Sequence, residues 1–130
     1  MKQFLKGYGE LYGLRVVHRD LKLANIFIRK GKAILADLGF AIEAEKCTDK
    51  FDYNVGSPFY MPPESLKFNR YSYKSDVWAI GVIAFELVYG QRPWKDKDDD
   101  ILYEKIMNTS IDELFDPSVR VSEQYKQFIR

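Results

Sequence analysis

The chain is expected to fold as a mainly α-helical domain interrupted by one short β-hairpin, and three observations predict it. Phe4, Leu5, Tyr8, Leu11 and Tyr12 recur at helical spacing over residues 1 to 13. Val77 to Tyr89 is an apolar run whose one charge is Glu86; it falls short of the roughly 20 residues a membrane span needs and is expected as a buried helix. Ile26-Phe27-Ile28 and Ala33-Ile34-Leu35 flank Arg29-Lys30-Gly31-Lys32, the pattern of a hairpin with glycine in its turn.

Taken in order, the first helix is weakened by Gly7 and Gly9 and is expected to end with Gly13 as its cap. The hairpin follows a polar loop at residues 18 to 25. Residues 40 to 55 show no sustained periodicity and are expected to be a mobile segment. Ser75-Asp76 then opens a central helix over 75–89, because either side chain can accept from the free N–H groups of a first turn and an acid there meets the helix dipole favourably. Gly90 stops that helix and Pro93 prevents its continuation. Ile101, Leu102, Tyr103, Ile106 and Met107 predict a further amphipathic helix after the acidic run Asp96 to Asp100, read as a solvated loop. Ser122 caps a last start, with Tyr125, Phe128 and Ile129 at helical spacing, and Arg130 arrives mid-pattern.

At 130 residues, 46% apolar and 15% aromatic, the composition is that of one folded domain. Twenty basic and 19 acidic residues leave a net charge of +1, so no strong field points to nucleic acid or an anionic membrane as partner. The single cysteine, Cys47, excludes an internal disulfide and makes an intracellular, cytoplasmic setting the expectation. No signal-peptide core precedes the first helix, and the sequon Asn108-Thr109-Ser110 is read as coincidence.

The informative stretch is His18-Arg19-Asp20-Leu21-Lys22-Leu23-Ala24-Asn25, which crowds ionisable and amide side chains between Val16-Val17 and Ile26-Phe27-Ile28. Polar groups enclosed by apolar runs are costly unless they form a site. His18, the only histidine, invites a general-base assignment, but inside this pattern it is read as a packing and hydrogen-bonding residue. The pattern H-R-D-L-K-x-x-N resembles the catalytic loop of the eukaryotic protein kinases, serine/threonine type.

That resemblance implies a set of roles. Asp20 would accept the hydrogen bond of the substrate hydroxyl and orient it for in-line attack on the γ-phosphate of ATP. Lys22 would spread positive charge over the phosphoryl group in flight. Asn25 would offer a neutral oxygen to Mg2+, a hard cation that keeps several of its waters. Asp37-Leu38-Gly39, 12 residues after Asn25, resembles the family's D-F-G; Asp37 would be the second magnesium ligand, returned beside Asn25 by the hairpin, and Leu38 would fill the slot of the usual Phe.

Gly56-Ser57-Pro58-Phe59-Tyr60-Met61-Pro62-Pro63-Glu64 resembles G-[ST]-P-x-Y-x-A-P-E, with Pro62 where the family has Ala. Gly56 and Ser57 would belong to the acceptor-binding loop. The Ser57 hydroxyl would bridge Asp20 and Lys22, a feature that with Lys22 favours Ser or Thr over Tyr as acceptor. Arg19 before the catalytic Asp marks the subclass in which a loop phosphate neutralises that arginine. The usual phosphosite position is Tyr53, with Thr48 earlier; a phosphorylated Tyr53 and a permanent charge on Asp52 stand as equal alternatives. Asp76 would reach the backbone of the catalytic loop, and Glu64 would pair with a basic residue later than Arg130.

By this resemblance residues 1–130 are part of a kinase domain, its large lobe: catalytic loop 16–28, magnesium loop 37–39, activation segment 37–64 and central helix 75–89. The small N-terminal lobe is absent: the sequence holds no glycine-rich G-x-G-x-x-G loop, strand lysine, partner glutamate or hinge, the parts that grip the nucleotide. The expected partners are ATP, a Ser/Thr protein substrate and a regulatory protein on the helical surface near 101–107. Loss of a covering lobe is expected to expose apolar surface. A non-catalytic binding or scaffolding module is the alternative, and the untouched Asp20, Asn25 and Asp37 argue against it. An inert product of an incomplete gene is a third reading.

Overall fold

The computed structural model describes residues 1–45, 51–52 and 55–130. Its described elements are helices α1 (Lys2–Gly13), α2 (Pro63–Phe68), α3 (Tyr73–Tyr89), α4 (Asp99–Asn108) and α5 (Glu123–Ile129), with strands β1 (Val16–Val17), β2 (Ile26–Arg29), β3 (Lys32–Leu35), β4 (Ile42–Glu43), β5 (Phe51–Asp52) and β6 (Arg70–Tyr71). The strands form three antiparallel pairs, β1 with β4, β2 with β3, and β5 with β6. The predicted mainly helical fold with a short hairpin is what these elements make. None of the described helices is long and apolar enough to cross a membrane.

Helix α3 organises the rest. Ser72 Oγ accepts from the Lys74 N–H at 3.2 Å and Ser75 Oγ accepts from the Ser72 N–H at 3.1 Å, so a serine pair closes its N-terminus. The helix therefore starts at Tyr73, two residues before the expected Ser75, because Ser72 supplies the cap and Asp76 points elsewhere. Its far end is as expected: Gly90 takes a left-handed φ of 69°. Ala79, Ile80 and Ile83 meet Phe4 and Tyr8 of α1 and Leu21 of the polar loop in one buried cluster. The helix is enclosed on most sides only, since Val77 and Leu87 lie exposed.

The hairpin β2–β3 pairs Arg29 with Lys32 around a two-residue turn, Lys30-Gly31, with φ of 51° and 73°. Two positive φ values make the turn whose twist suits a tight hairpin, and glycine takes its share without strain. Helix α1 ends differently from expectation. Gly13 is its last helical residue and Leu14 is the cap, with the turn completed by Arg15 at φ 59°.

The described residues between 40 and 55 hold more order than their sequence suggests. Strand β4 pairs Ile42 with Val17 and Glu43 with Val16, and β5 pairs Phe51 with Tyr71 and Asp52 with Arg70. Two-residue strands carry no readable period, and their partners lie far along the chain. The acidic run is likewise not just a loop: Asp98 caps α4, accepting from Asp100 and Ile101 N–H groups, while Asp99 and Asp100 occupy its first turn. Ser122 caps α5 by accepting from the Tyr125 N–H, as its position implied.

Candidate functional site

The polar loop is held by two pegs. Leu21, 1% exposed, drops into the core between α1 and α3. Asp76, 1% exposed on the first turn of α3, receives two consecutive backbone donors: His18 N–H to Oδ2 at 2.8 Å and Arg19 N–H to Oδ1 at 3.0 Å. Arg19 bends to φ 66°, and its Nε donates to the Phe40 carbonyl at 2.6 Å. His18 is fully buried. Its Nδ1 accepts from the Asp20 N–H and its Nε2 faces the Ala36 carbonyl, both at 3.3 Å, so the Nε2-protonated tautomer satisfies both contacts.

Asp20 then becomes the hub of a closed ring. Ser57 Oγ donates to Asp20 Oδ1 at 2.8 Å, and Lys22 Nζ donates to Asp20 Oδ2 at 2.8 Å and to Ser57 Oγ at 3.0 Å. Asn25 Nδ2 donates to the Asp20 backbone carbonyl at 2.9 Å and to Oδ2 at 3.3 Å. Asp20 and Asn25 are buried whereas Lys22 is a quarter exposed, so the cation reaches the surface while its carboxylate partner does not. Sequence spacing placed Asp20, Lys22 and Asn25 together; only the fold brings Ser57 in from 37 residues away.

Asp37 is less closely engaged. The Ala36 N–H donates to the Asn25 carbonyl at 3.0 Å, so the hairpin does return the chain to Asn25. Yet Asp37 itself is exposed at φ 65°, its Oδ1 accepts from the Gly39 N–H at 3.3 Å, and no hydrogen bond joins its side chain to Asn25. Among the described residues no group of three or more His, Cys, Asp or Glu side chains is placed to hold a metal.

Gly56 explains itself sterically. Its φ is 103°, and a Cβ there would stand 2.6 Å from the Arg19 carbonyl oxygen. Glycine is what lets the segment carrying Ser57 lie against the polar loop. Gly56→Ala is expected to cost about 1–3 kcal/mol from backbone strain alone, and urea unfolding that shows no loss would refute the close approach. The short turn Pro58–Tyr60 is fastened to α3 by the Tyr60 hydroxyl donating to Glu86 Oε2 at 2.6 Å, while Arg92 stacks 4.0 Å from the Phe59 ring centroid. Burial first, then the Glu86 carboxylate, push the Tyr60 phenol upward. Tyr60 and Glu86 were not among the residues singled out from sequence, though a lone charge inside an apolar run was the available signal.

A protein kinase domain model matches residues 1–130, the whole length of the sequence. The chain belongs to the protein kinase family. It is 43% identical over 95 residues to serine/threonine-protein kinase ppk11 of Schizosaccharomyces pombe, covering 72% of this chain and 30% of that protein. Similarity to serine/threonine-protein kinase SKM1 of Saccharomyces cerevisiae is 32% over 130 residues, covering 99% and 20% of the two chains. With serine/threonine-protein kinase shk1/pak1 of S. pombe it is 36% over 94 residues, covering 72% and 14%. This kinase-family chain thus spans less than a third of the length of these relatives.

One expectation drawn from the family motifs meets a different outcome in this kinase chain. Leu38 does not fill a buried slot: it is 51% exposed, because the described elements cover it on one side only, where it lines a groove with Leu14 and Ile34. Glu64, whose expected partner comes later than Arg130, is exposed on the first turn of α2 and makes no ion pair among the described residues. Thr48 and Tyr53 lie outside the described residues, as does Cys47.

Burial raises the Asp76 carboxyl above its ordinary value of 3.8, against the lowering effect of the His18 and Arg19 N–H groups. The folded kinase chain then holds this proton at pH values where the unfolded chain has released it. The resulting stabilisation is complete below 3.8 and is lost as pH rises through the raised folded value. Measured against the non-titrating Asp76→Asn variant, wild-type unfolding free energy is expected to decline with rising pH across that interval; a flat or rising difference would refute it.

Proposed function

We propose that the chain is the large-lobe portion of a serine/threonine protein kinase, and that its site transfers the γ-phosphate of ATP to a Ser or Thr hydroxyl of a protein substrate. The observation that carries this reading is the closed ring of Asp20, Lys22 and Ser57, with Asn25 bonded to Asp20 beside it. A carboxylate offers about four lone-pair positions. Oδ2 is taken by Lys22 and Asn25, and Oδ1 by Ser57 alone, so Oδ1 keeps a lone-pair position that an acceptor hydroxyl takes once the contacts now burying the carboxylate open. Held there, the hydroxyl is oriented for attack and its proton has a carboxylate to go to. Lys22 Nζ lies beside the other carboxylate oxygen, Oδ2, and is partly open to solvent, where it balances the negative charge of a transferring phosphoryl group.

The residues also fit magnesium. Asn25 commits its Nδ2 to Asp20, which leaves Oδ1 without a hydrogen bond to Asp20, and the exposed Asp37 carboxylate has one oxygen outside the Gly39 contact. Two hard oxygens suit a cation that retains most of its waters. When bound, magnesium neutralises phosphate charge. The relatives' description as serine/threonine kinases supports the acceptor class, as does the Ser57–Lys22 bond.

The test is transfer of label from γ-labelled ATP to peptides that differ only in having Ser, Thr or Tyr as acceptor, using these residues joined to a nucleotide-gripping lobe. Ser and Thr peptides are expected to be labelled in a magnesium-dependent way and Tyr peptides not. Equal labelling of Tyr removes the acceptor assignment, and no labelling of any peptide removes phosphotransfer. The 130 residues by themselves are expected to turn over negligibly, and robust labelling by them would overturn that.

A further inference from the structure

Tyr71 is among the largest fully buried side chains described, 2% exposed, and neither the motifs nor the reaction outlined above uses it. It ends strand β6, whose backbone pairs it with Phe51. Its hydroxyl donates to the Val55 carbonyl and lies 3.5 Å from Met61 Sδ. Those contacts bracket the segment 55–61. Val55 is held from below by the phenol, Gly56 is pressed against the Arg19 carbonyl, and Ser57 donates to Asp20. Tyr71, Ser57, Met61, Asp20 and Arg19 also line one small shared cavity of about 10 Å³, too little for more than one water. Burial suppresses the ionisation of this phenol, so it stays a donor.

We propose that Tyr71 is a positioning residue: its phenol holds the Val55 carbonyl so that Ser57 meets Asp20, coupling strand β6 to the acceptor side of the site. Three consecutive residues are thereby fixed at three points, by a hydroxyl, by steric contact and by a hydroxyl–carboxylate bond. Removing the first leaves Val55 free to rotate its peptide away and takes the Ser57 hydroxyl with it. The placement stands on geometry alone, while its effect on acceptor binding rests on the phosphotransfer reading.

Tyr71→Phe keeps the ring and removes only the O–H. By hydrogen exchange and mass spectrometry on the 130-residue chain, amides of 55–61 are expected to exchange about tenfold faster in the variant, with 16–28 and 73–89 unchanged. Uniform acceleration across all three segments, or none in 55–61, overturns the proposal. Should the variant not fold, native-state exchange of the wild type in low urea decides instead: amides of 55–61 and of 70–71 opening as one unit support the strut, and separate opening overturns it. In the kinase-active form carrying these residues, Tyr71→Phe is expected to raise KM for the acceptor peptide about fivefold with KM for ATP unchanged. A shift in neither KM, or the same shift in both, overturns the coupling to acceptor binding. The exchange result is independent of turnover, so an inactive protein that shows it rejects the phosphotransfer reading and leaves the strut in place.

Discussion

Asparagine in place of Asp20 is expected to lower phosphoryl transfer by about 10²- to 10⁴-fold in the kinase-active form while leaving the chain folded. The substitution is nearly isosteric. With its amide oxygen in the place of Oδ2 it still accepts from Lys22 and Asn25, so only the bond from Ser57 is lost. What it loses entirely is the negative charge that draws the acceptor proton. The loop's other anchors, Leu21 in the core and Asp76 on the His18 and Arg19 amides, are untouched. Steady-state labelling of a Ser peptide, with thermal unfolding as the control for folding, measures both halves. Transfer within tenfold of wild type would mean that another group takes the proton, and the ring would then be structural.

Asp76→Ala is expected to have the largest effect on stability, about 2–4 kcal/mol. The carboxylate accepts one buried and one part-buried backbone donor, at 2.8 and 3.0 Å, and alanine replaces neither bond. His18 is fully buried, so water reaches its N–H only if the loop opens. A cavity the size of the lost carboxylate adds to the cost. Urea unfolding followed by circular dichroism gives the loss in free energy, and a change below about 1 kcal/mol would show that the two amides find other partners. Asp76→Asn is expected to fall between the two proteins at neutral pH, because its amide supplies one acceptor oxygen where two are used.

Much of this was legible because the chemistry is local. Asp20, Lys22 and Asn25 sit within six residues, and a loop that short cannot scatter them. The hairpin was readable from alternation and Gly31, and the buried helix from its apolar run. What periodicity and spacing could not show is whatever depends on distant partners outside the motifs. The pairing of β4 with β1 involves two residues a side, too few for any period, and the cap at Ser72 competed with a plausible one at Ser75 three residues later. Leu38 illustrates the limit of motif reading: an apolar residue in a slot is buried only if it is covered on all sides, and the described elements cover Leu38 on one side only.

By itself, the order of residues determined the class of fold, the membership of the polar loop and the reason each side chain is chemically suited to it. Motif resemblance named contacts for Ser57 and Asp76, but tertiary structure had to close them, and it alone decided that Gly56 lies where no Cβ fits. The physical reason is range. Propensity and periodicity act over a few residues, whereas these contacts close loops of 35 residues or more, and which loops close is settled by the shared burial of α1, α3 and Leu21.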